Sequence, residues 1–138
     1  MPEKYYIDTS IWMDLYEDRK GHCDEPLGDY AWKLLSMIKA KGNVLVISDL
    51  LLRELEGFYS LAEVNGMMKL FEHVIEKVVA IPAQRMEAKN IAQERNIPPG
   101  DCLHAILARD HQLILITRDN DFRKLGEMAK YYKPEEII

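Results

Sequence analysis

The chain reads as one α/β domain over residues 1–138, a parallel sheet flanked by helices on both faces. Three observations predict it. Short apolar, β-branched runs recur without polar alternation, as at Val44, Leu45, Val46 and Ile47, and strands buried on both faces read this way. The stretches between these runs carry apolar residues at steps of three and four, the spacing of helices that cover a sheet. A length of 138 residues suits one domain and suffices to bury a core without staples. No repeat, low-complexity segment or linker divides it.

The first strand lies in residues 4–10 and leaves Asp8 at its C-terminal tip. Residues 11–17 form a short helical turn started by Thr9 or Ser10, and 18–28, with Gly21, Pro26 and Gly28, is a loop by composition. A helix over about 29–41 aligns Ala31, Leu34, Leu35 and Ile38, and Gly42 stops it. The second strand, 44–47, leads to Ser48, a helix cap, and a helix to about Glu56. Ser60 and Glu63 make a capping box for the next helix, whose stripe is Leu61, Val64, Met68, Phe71 and Ile75. A third strand is predicted at 78–81, closed by Pro82, and a helix at 83–95. Asn96, Pro98, Pro99 and Gly100 break that helix; another opens at Asp101 and runs to about Asp110. The fourth strand, 113–117, is the most apolar. A short helix near 122–128 and an edge strand at 129–132 complete the order.

Composition narrows the function. The net charge of −5 excludes a general nucleic-acid coat protein, which would be basic. It leaves a nuclease open, because metal ions can supply positive charge locally. Cys23 and Cys102 alone make neither a zinc cluster nor a disulfide framework. No signal peptide or membrane-spanning run is evident, so the expectation is a cytoplasmic protein with reduced thiols and no membrane partner.

Four acids sit where such a fold brings them to one sheet edge: Asp8 at the first strand tip, Glu54 on the helix leaving the second strand, Asp101 after the Pro-Pro-Gly break, and Asp119 past the fourth strand, with Asp121 as a fifth. Taken singly, each has a plainer reading: Glu54 as a solvated helix residue, Asp8 and Asp101 as helix-start acids, Asp119 and Asp121 as turn residues. Taken together, they converge at the carboxyl ends of the strands, where open α/β sheets bind ligands. Clustered carboxylates repel one another unless a cation fills the site, and an all-oxygen set suits Mg2+ or Mn2+, one ion or two. His104, one turn after Asp101, reads as structural. Such a cluster fits phosphodiester hydrolysis. Thr9, Ser10 and Thr117 have hydroxyls that can fix the carboxylates. Arg118 and Arg123 flank the site and can contact substrate phosphates, or else be solvated or ion-paired. Most of the rings of Tyr5, Trp12, Tyr16, Tyr30 and Trp32 read as core packing, with base stacking the alternative.

These segments resemble a known family. Tyr6-Ile7-Asp8-Thr9-Ser10 resembles the opening of PIN-domain nucleases, and the stretch from Ser48 to Leu55, with its Glu54, their second acidic segment. Pro99-Gly100-Asp101-Cys102-Leu103-His104-Ala105 is similar to the third, and Leu115-Ile116-Thr117-Arg118-Asp119-Asn120-Asp121-Phe122 to the fourth. The resemblance implies strand order 3-2-1-4-5 and a Mg2+- or Mn2+-dependent endoribonuclease. It implies Asp8, Glu54, Asp101 and Asp119 as the catalytic acids, Asp121 as accessory, and products with a 5′-phosphate and a 3′-hydroxyl. Compact members are often VapC-type toxins, which form homodimers and are held inactive by a small antitoxin docked at the active site. The 18–28 loop is long for that branch. Two other classes compete. A non-catalytic PIN-like module binding RNA or protein would have lost site acids, and none is lost. A phosphotransfer domain with Asp8 as nucleophile would carry a second Asp close after it, where Thr9 and Ser10 stand.

Overall fold

The structure is a computed structural model and describes residues 2–138. Its elements are β1 (Lys4–Ile7), α1 (Thr9–Glu17), α2 (Leu27–Ala40), β2 (Val44–Ser48), α3 (Asp49–Glu56), α4 (Leu61–Lys69), β3 (Ile75–Val78), α5 (Pro82–Arg95), α6 (Pro99–His111), β4 (Ile114–Ile116) and β5 (Tyr131–Tyr132). The strands form one sheet in the order β3-β2-β1-β4-β5, every pair parallel. Tyr5 of the central strand β1 stands between Leu45 and Ile114. Parallel neighbours need crossover connections, and the helices supply them on both faces.

Alternation along β1 splits the core in two. Tyr5 and Ile7 enter one apolar layer with Ile11 and Trp12 of α1, Leu34 of α2 and Leu51 of α3. Tyr6 points to the opposite face, into a layer with Ala88 of α5 and Ala105, Ile106 and Leu107 of α6. Both ends of this period-two pattern therefore lie in apolar surroundings. Gly28 is demanded by the α1–α2 corner: a Cβ there would lie 2.7 Å from Asp18 Cα, and Asp18 itself takes a left-handed conformation, φ 51°, to end α1. Cys23 is exposed and Cys102 buried, both free. Among the described residues no helix is long and apolar enough to cross a membrane.

Several boundaries differ from the sequence reading. The third strand lies at Ile75–Val78, not at 78–81. It is an edge strand, so Glu76 and Lys77 face solvent and break the apolar run that marks buried strands, while Val79 and Ile81 are exposed beyond its end. The α4 stripe accordingly stops at Lys69, and Ile75 belongs to β3. Helix α6 begins at Pro99 rather than Asp101, since a proline at the first helical position fits the helix and gives up no needed donor. The predicted helix near 122–128 is a 3₁₀ turn over Asn120–Leu125, and the 129–132 strand narrows to Tyr131–Tyr132. Thr117 lies one residue beyond β4.

Candidate active site

The carboxyl ends of β1 and β4 and the nearby turns of α3 and α6 surround a shallow cavity lined by Asp8, Thr9, Ser10, Glu54, Asp101 and Asp119, with Met13 and the exposed ring of Phe58 at its rim. Apolar grooves elsewhere, such as the one between Trp32 and Leu70, have no converging carboxylates.

Asp8 is the N-cap of α1, and its backbone stays in the sheet by donating to the Ile116 carbonyl at 2.9 Å. Its Oδ1 accepts the Thr9 amide at 2.8 Å. Its Oδ2 accepts the Thr117 hydroxyl at 2.8 Å and the Ser10 hydroxyl at 3.2 Å. The Thr117 hydroxyl oxygen in turn accepts the Asp119 amide at 3.0 Å, so one side chain ties the ends of β1 and β4 together. Asp119 caps the 3₁₀ turn by accepting the Asp121 amide at 2.9 Å.

Glu54 projects from α3, a helix capped by Ser48, whose hydroxyl accepts the Leu51 amide at 3.0 Å. Glu54 Oε1 accepts the Thr9 hydroxyl at 2.6 Å and lies 2.7 Å from His104 Nε2. Burial opposes its ionisation, yet the hydrogen bond and charge of His104 and the Thr9 hydroxyl hold the carboxyl below its usual range. For the His104 imidazole, burial pushes downward. The hydrogen bond to Glu54 and the charges of Asp8, Glu54 and Asp101 outweigh it and raise the group above its ordinary value.

Asp101 stands in the first turn of α6. Burial and then the charges of Asp119 and Asp8 push its carboxyl up to about 7. Carboxyl oxygens of Asp101, Asp119 and Asp121 lie within 4.8 Å of one another. Among the described residues no Lys or Arg lines the cavity. Like charges held this close destabilise one another, and a bound cation would relieve the repulsion. An all-carboxylate donor set of this kind fits a hard divalent cation.

The sequence from Tyr5 to Met128 matches the family model described as the PIN domain, over residues 5–128. The chain belongs to the PIN-domain family. Members of this family are generally nucleases. No curated protein matches the sequence significantly. The fold of this PIN domain is similar to a chain of VapBC2 from Rickettsia felis bound to a DNA fragment from their promoter, with TM-score 0.68, 19% identity and coverage of 94% of this chain and 98% of that one. It is also similar to a chain of a toxin–antitoxin complex from Klebsiella pneumoniae, with TM-score 0.65, 18% identity and coverage of 94% and 97%. A third likeness is to FitAcB from Neisseria gonorrhoeae, with TM-score 0.60, 16% identity and coverage of 96% and 99%. At these identities the likeness is one of fold.

In this PIN domain Asp8, Glu54, Asp101 and Asp119 share one cavity, while Asp121 joins the tightest cluster, with Asp101 and Asp119. Thr9, Ser10 and Thr117 each hydrogen-bond a site carboxylate. Arg118 does not project over the acids. Its Nε lies 3.4 Å from Asp14 Oδ2 and its Nη2 2.7 Å from Glu135 Oε1, behind the β4 tip. Thr117 bonds Asp8 and Asp119 lines the cavity, while Arg118 between them turns to the acids on the other side. Arg123 is exposed, with its Nε 3.5 Å from the Asn120 carbonyl oxygen. His104, read from sequence as structural, is 1% exposed and bonded to Glu54. The sequence signal was its spacing of three from Asp101, which puts both on one face of α6.

Proposed function

We propose that this PIN domain is a metal-dependent endoribonuclease that uses Mg2+ or Mn2+, and that it is the toxin of a toxin–antitoxin pair. The observation that carries the nuclease reading is the convergence of carboxylates in a cavity whose described lining holds no Lys or Arg, where burial and then the charges of Asp119 and Asp8 push Asp101 up to about 7. Asp101, Asp119 and Asp121 would hold the cation, with Asp8 and Glu54 completing the site. When bound, it would supply Lewis acidity toward the scissile phosphate and the attacking water.

The chain's own residues do the positioning. Thr117, Ser10 and the Thr9 amide lock the Asp8 carboxylate in one rotamer. Thr9 ties Glu54 Oε1 to the same corner, while Oε2 lies beside Gly100, where a Cβ would approach it to 3.2 Å. A carboxylate so held can accept a hydrogen bond from water and orient it. Attack on phosphorus forms the new P–O bond and expels O3′, leaving a 5′-phosphate and a 3′-hydroxyl. The water's proton passes to a carboxylate or to solvent, and O3′ takes up a proton as it leaves.

The toxin reading rests on the fold shared with chains of toxin–antitoxin complexes. It carries with it a homodimer, a small antitoxin protein as partner, and RNA met in the cytoplasm. The test is cleavage of end-labelled RNAs with Mg2+, Mn2+ or EDTA by the native chain and by Asp8→Asn. Cutting that needs metal and vanishes in the variant supports the reading. A folded chain that binds Mn2+ yet cuts no RNA at high concentration overturns it in favour of a binding module. Light scattering reads the dimer.

A further inference from the structure

The catalytic reading leaves unused a buried polar chain that runs beneath the cavity. His104 is 1% exposed, and both its ring nitrogens are engaged: Nε2 with Glu54 Oε1 at 2.7 Å and Nδ1 with the Tyr6 hydroxyl at 2.6 Å. The Tyr6 hydroxyl lies 2.6 Å from Ser48 Oγ, the atom that caps α3, the helix carrying Glu54. Tyr6 is fully buried, and its ring sits 5.3 Å from the imidazole, tilted by 55°.

The donors can be assigned. A carboxylate only accepts, so His104 Nε2 carries a proton and donates to Glu54. With the neutral imidazole, Nδ1 accepts from Tyr6, Tyr6 accepts from Ser48, and Ser48 accepts from the Leu51 amide. Each bond runs in one direction, and the His104 ring nitrogens, the Tyr6 hydroxyl and the Ser48 hydroxyl are all paired. Burying an imidazole and a phenol hydroxyl in an apolar layer is costly unless they are hydrogen-bonded. Filled by Leu and Phe, the same space would need no partners. The network also has a consequence for Glu54. With Thr9 and His104 both on Oε1, only Oε2 remains for the cavity.

We infer that His104, backed by Tyr6 and Ser48, is a positioning residue that fixes Glu54 as a one-oxygen contributor to the metal centre. This rests on the metal-centre reading above. Partners of this kind behind a ligand typically change metal affinity or activity by about 10- to 100-fold.

The test uses the full chain and Mn2+ alone, with binding read by electron paramagnetic resonance before any RNA is added. His104→Leu is expected to weaken Mn2+ binding and lower kcat, each by about 10-fold or more, with KM for RNA little changed. His104→Gln, whose amide can donate from near the Nε2 position, is expected to recover most of the affinity. Tyr6→Phe keeps the ring but removes the Nδ1 partner, and is expected to fall between the two. Should His104→Leu fail to fold, Tyr6→Phe and His104→Gln carry the comparison, each checked by circular dichroism and melting. In the metal-free protein, the His104 Nε2–H proton resonance should exchange slowly and move in Glu54→Gln. Native Mn2+ affinity in a folded His104→Leu overturns the inference and leaves the metal centre standing. A native chain that binds no Mn2+ overturns the metal-centre reading, and the imidazole resonance then still reports whether the Glu54 contact exists.

Discussion

Residues 117–119 separate two groups of acids at the same end of the sheet. Behind the β4 tip, Asp14 and Glu135 close on Arg118, which grips both Glu135 oxygens at 2.7 and 2.8 Å. In front, Asp101, Asp119 and Asp121 bring carboxyl oxygens within 4.8 Å, and no Lys or Arg among the described residues lines the cavity. At the back, burial opposes the ionisation of Glu135 but Arg118 holds it below its usual range. Asp14 remains raised by its deeper burial despite Arg118 and Arg19. At the front, Asp101 is pushed up to about 7. The lesson concerns the source of countercharge. The back group carries its countercharge in Arg118, whereas the described lining of the front cavity holds no Lys or Arg and leaves room for a proton or a cation to supply it.

The largest expected effect breaks the front group. Asp101→Asn or Asp119→Asn should abolish metal-dependent RNA cleavage while raising the melting temperature of the metal-free protein, because a repelling charge is gone; cleavage assays and calorimetry in EDTA read the two together. At the back the sign reverses. Arg118→Ala should destabilise by about 3 kcal/mol in urea unfolding, since it leaves Asp14, whose side chain is 6% exposed, without its main partner. Adding Asp14→Leu should recover part of the loss.

A smaller effect reads the front group by pH. The Asp101 carboxyl is raised from 3.8 to about 7, so the folded protein binds the extra proton between those values. Metal-free stability should therefore fall as pH rises from about 4 to 7. His104, also raised, acts in the same direction above its ordinary 6.5. Melting curves in EDTA should show the slope, and Asp101→Asn or added Mg2+ should flatten it. The smallest effect lies at the hinge between the groups. Thr117→Val removes one bond to Asp8 and one from the Asp119 amide. It should lower stability by about 1 kcal/mol and weaken Mn2+ binding modestly.

Asp8 and Asp119 were legible because they stand just past apolar runs, Ile7 ahead of Asp8 and the 113–116 run ahead of Asp119; Glu54 and Asp101 stand on or at the start of helices and carry no such mark. Burial marks the strand, and its end marks the site. β3 was misplaced because an edge strand carries Glu76 and Lys77 and lacks that mark. The partners of Arg118, Asp14 and Glu135, are 104 and 17 residues away in the chain, and no local pattern announces them. Tyr6 and Asp8 share a sheet face by period two, and Asp101 and His104 share a helix face. What the sequence withheld was that these two faces meet beneath Glu54.

The central place of β1 has a consequence for synthesis. Its tip residue, Asp8, is made first, yet it finds its Thr117 partner only when β4 docks alongside. Domains fold as units during translation. A nascent chain that has not yet released residues 114–121 thus has Asp8 and Glu54 but neither Asp119 nor Asp121. If the finished enzyme attacks RNA, the ribosome that makes it is exposed to no competent active site until the last third of the chain has been translated and the sheet has closed.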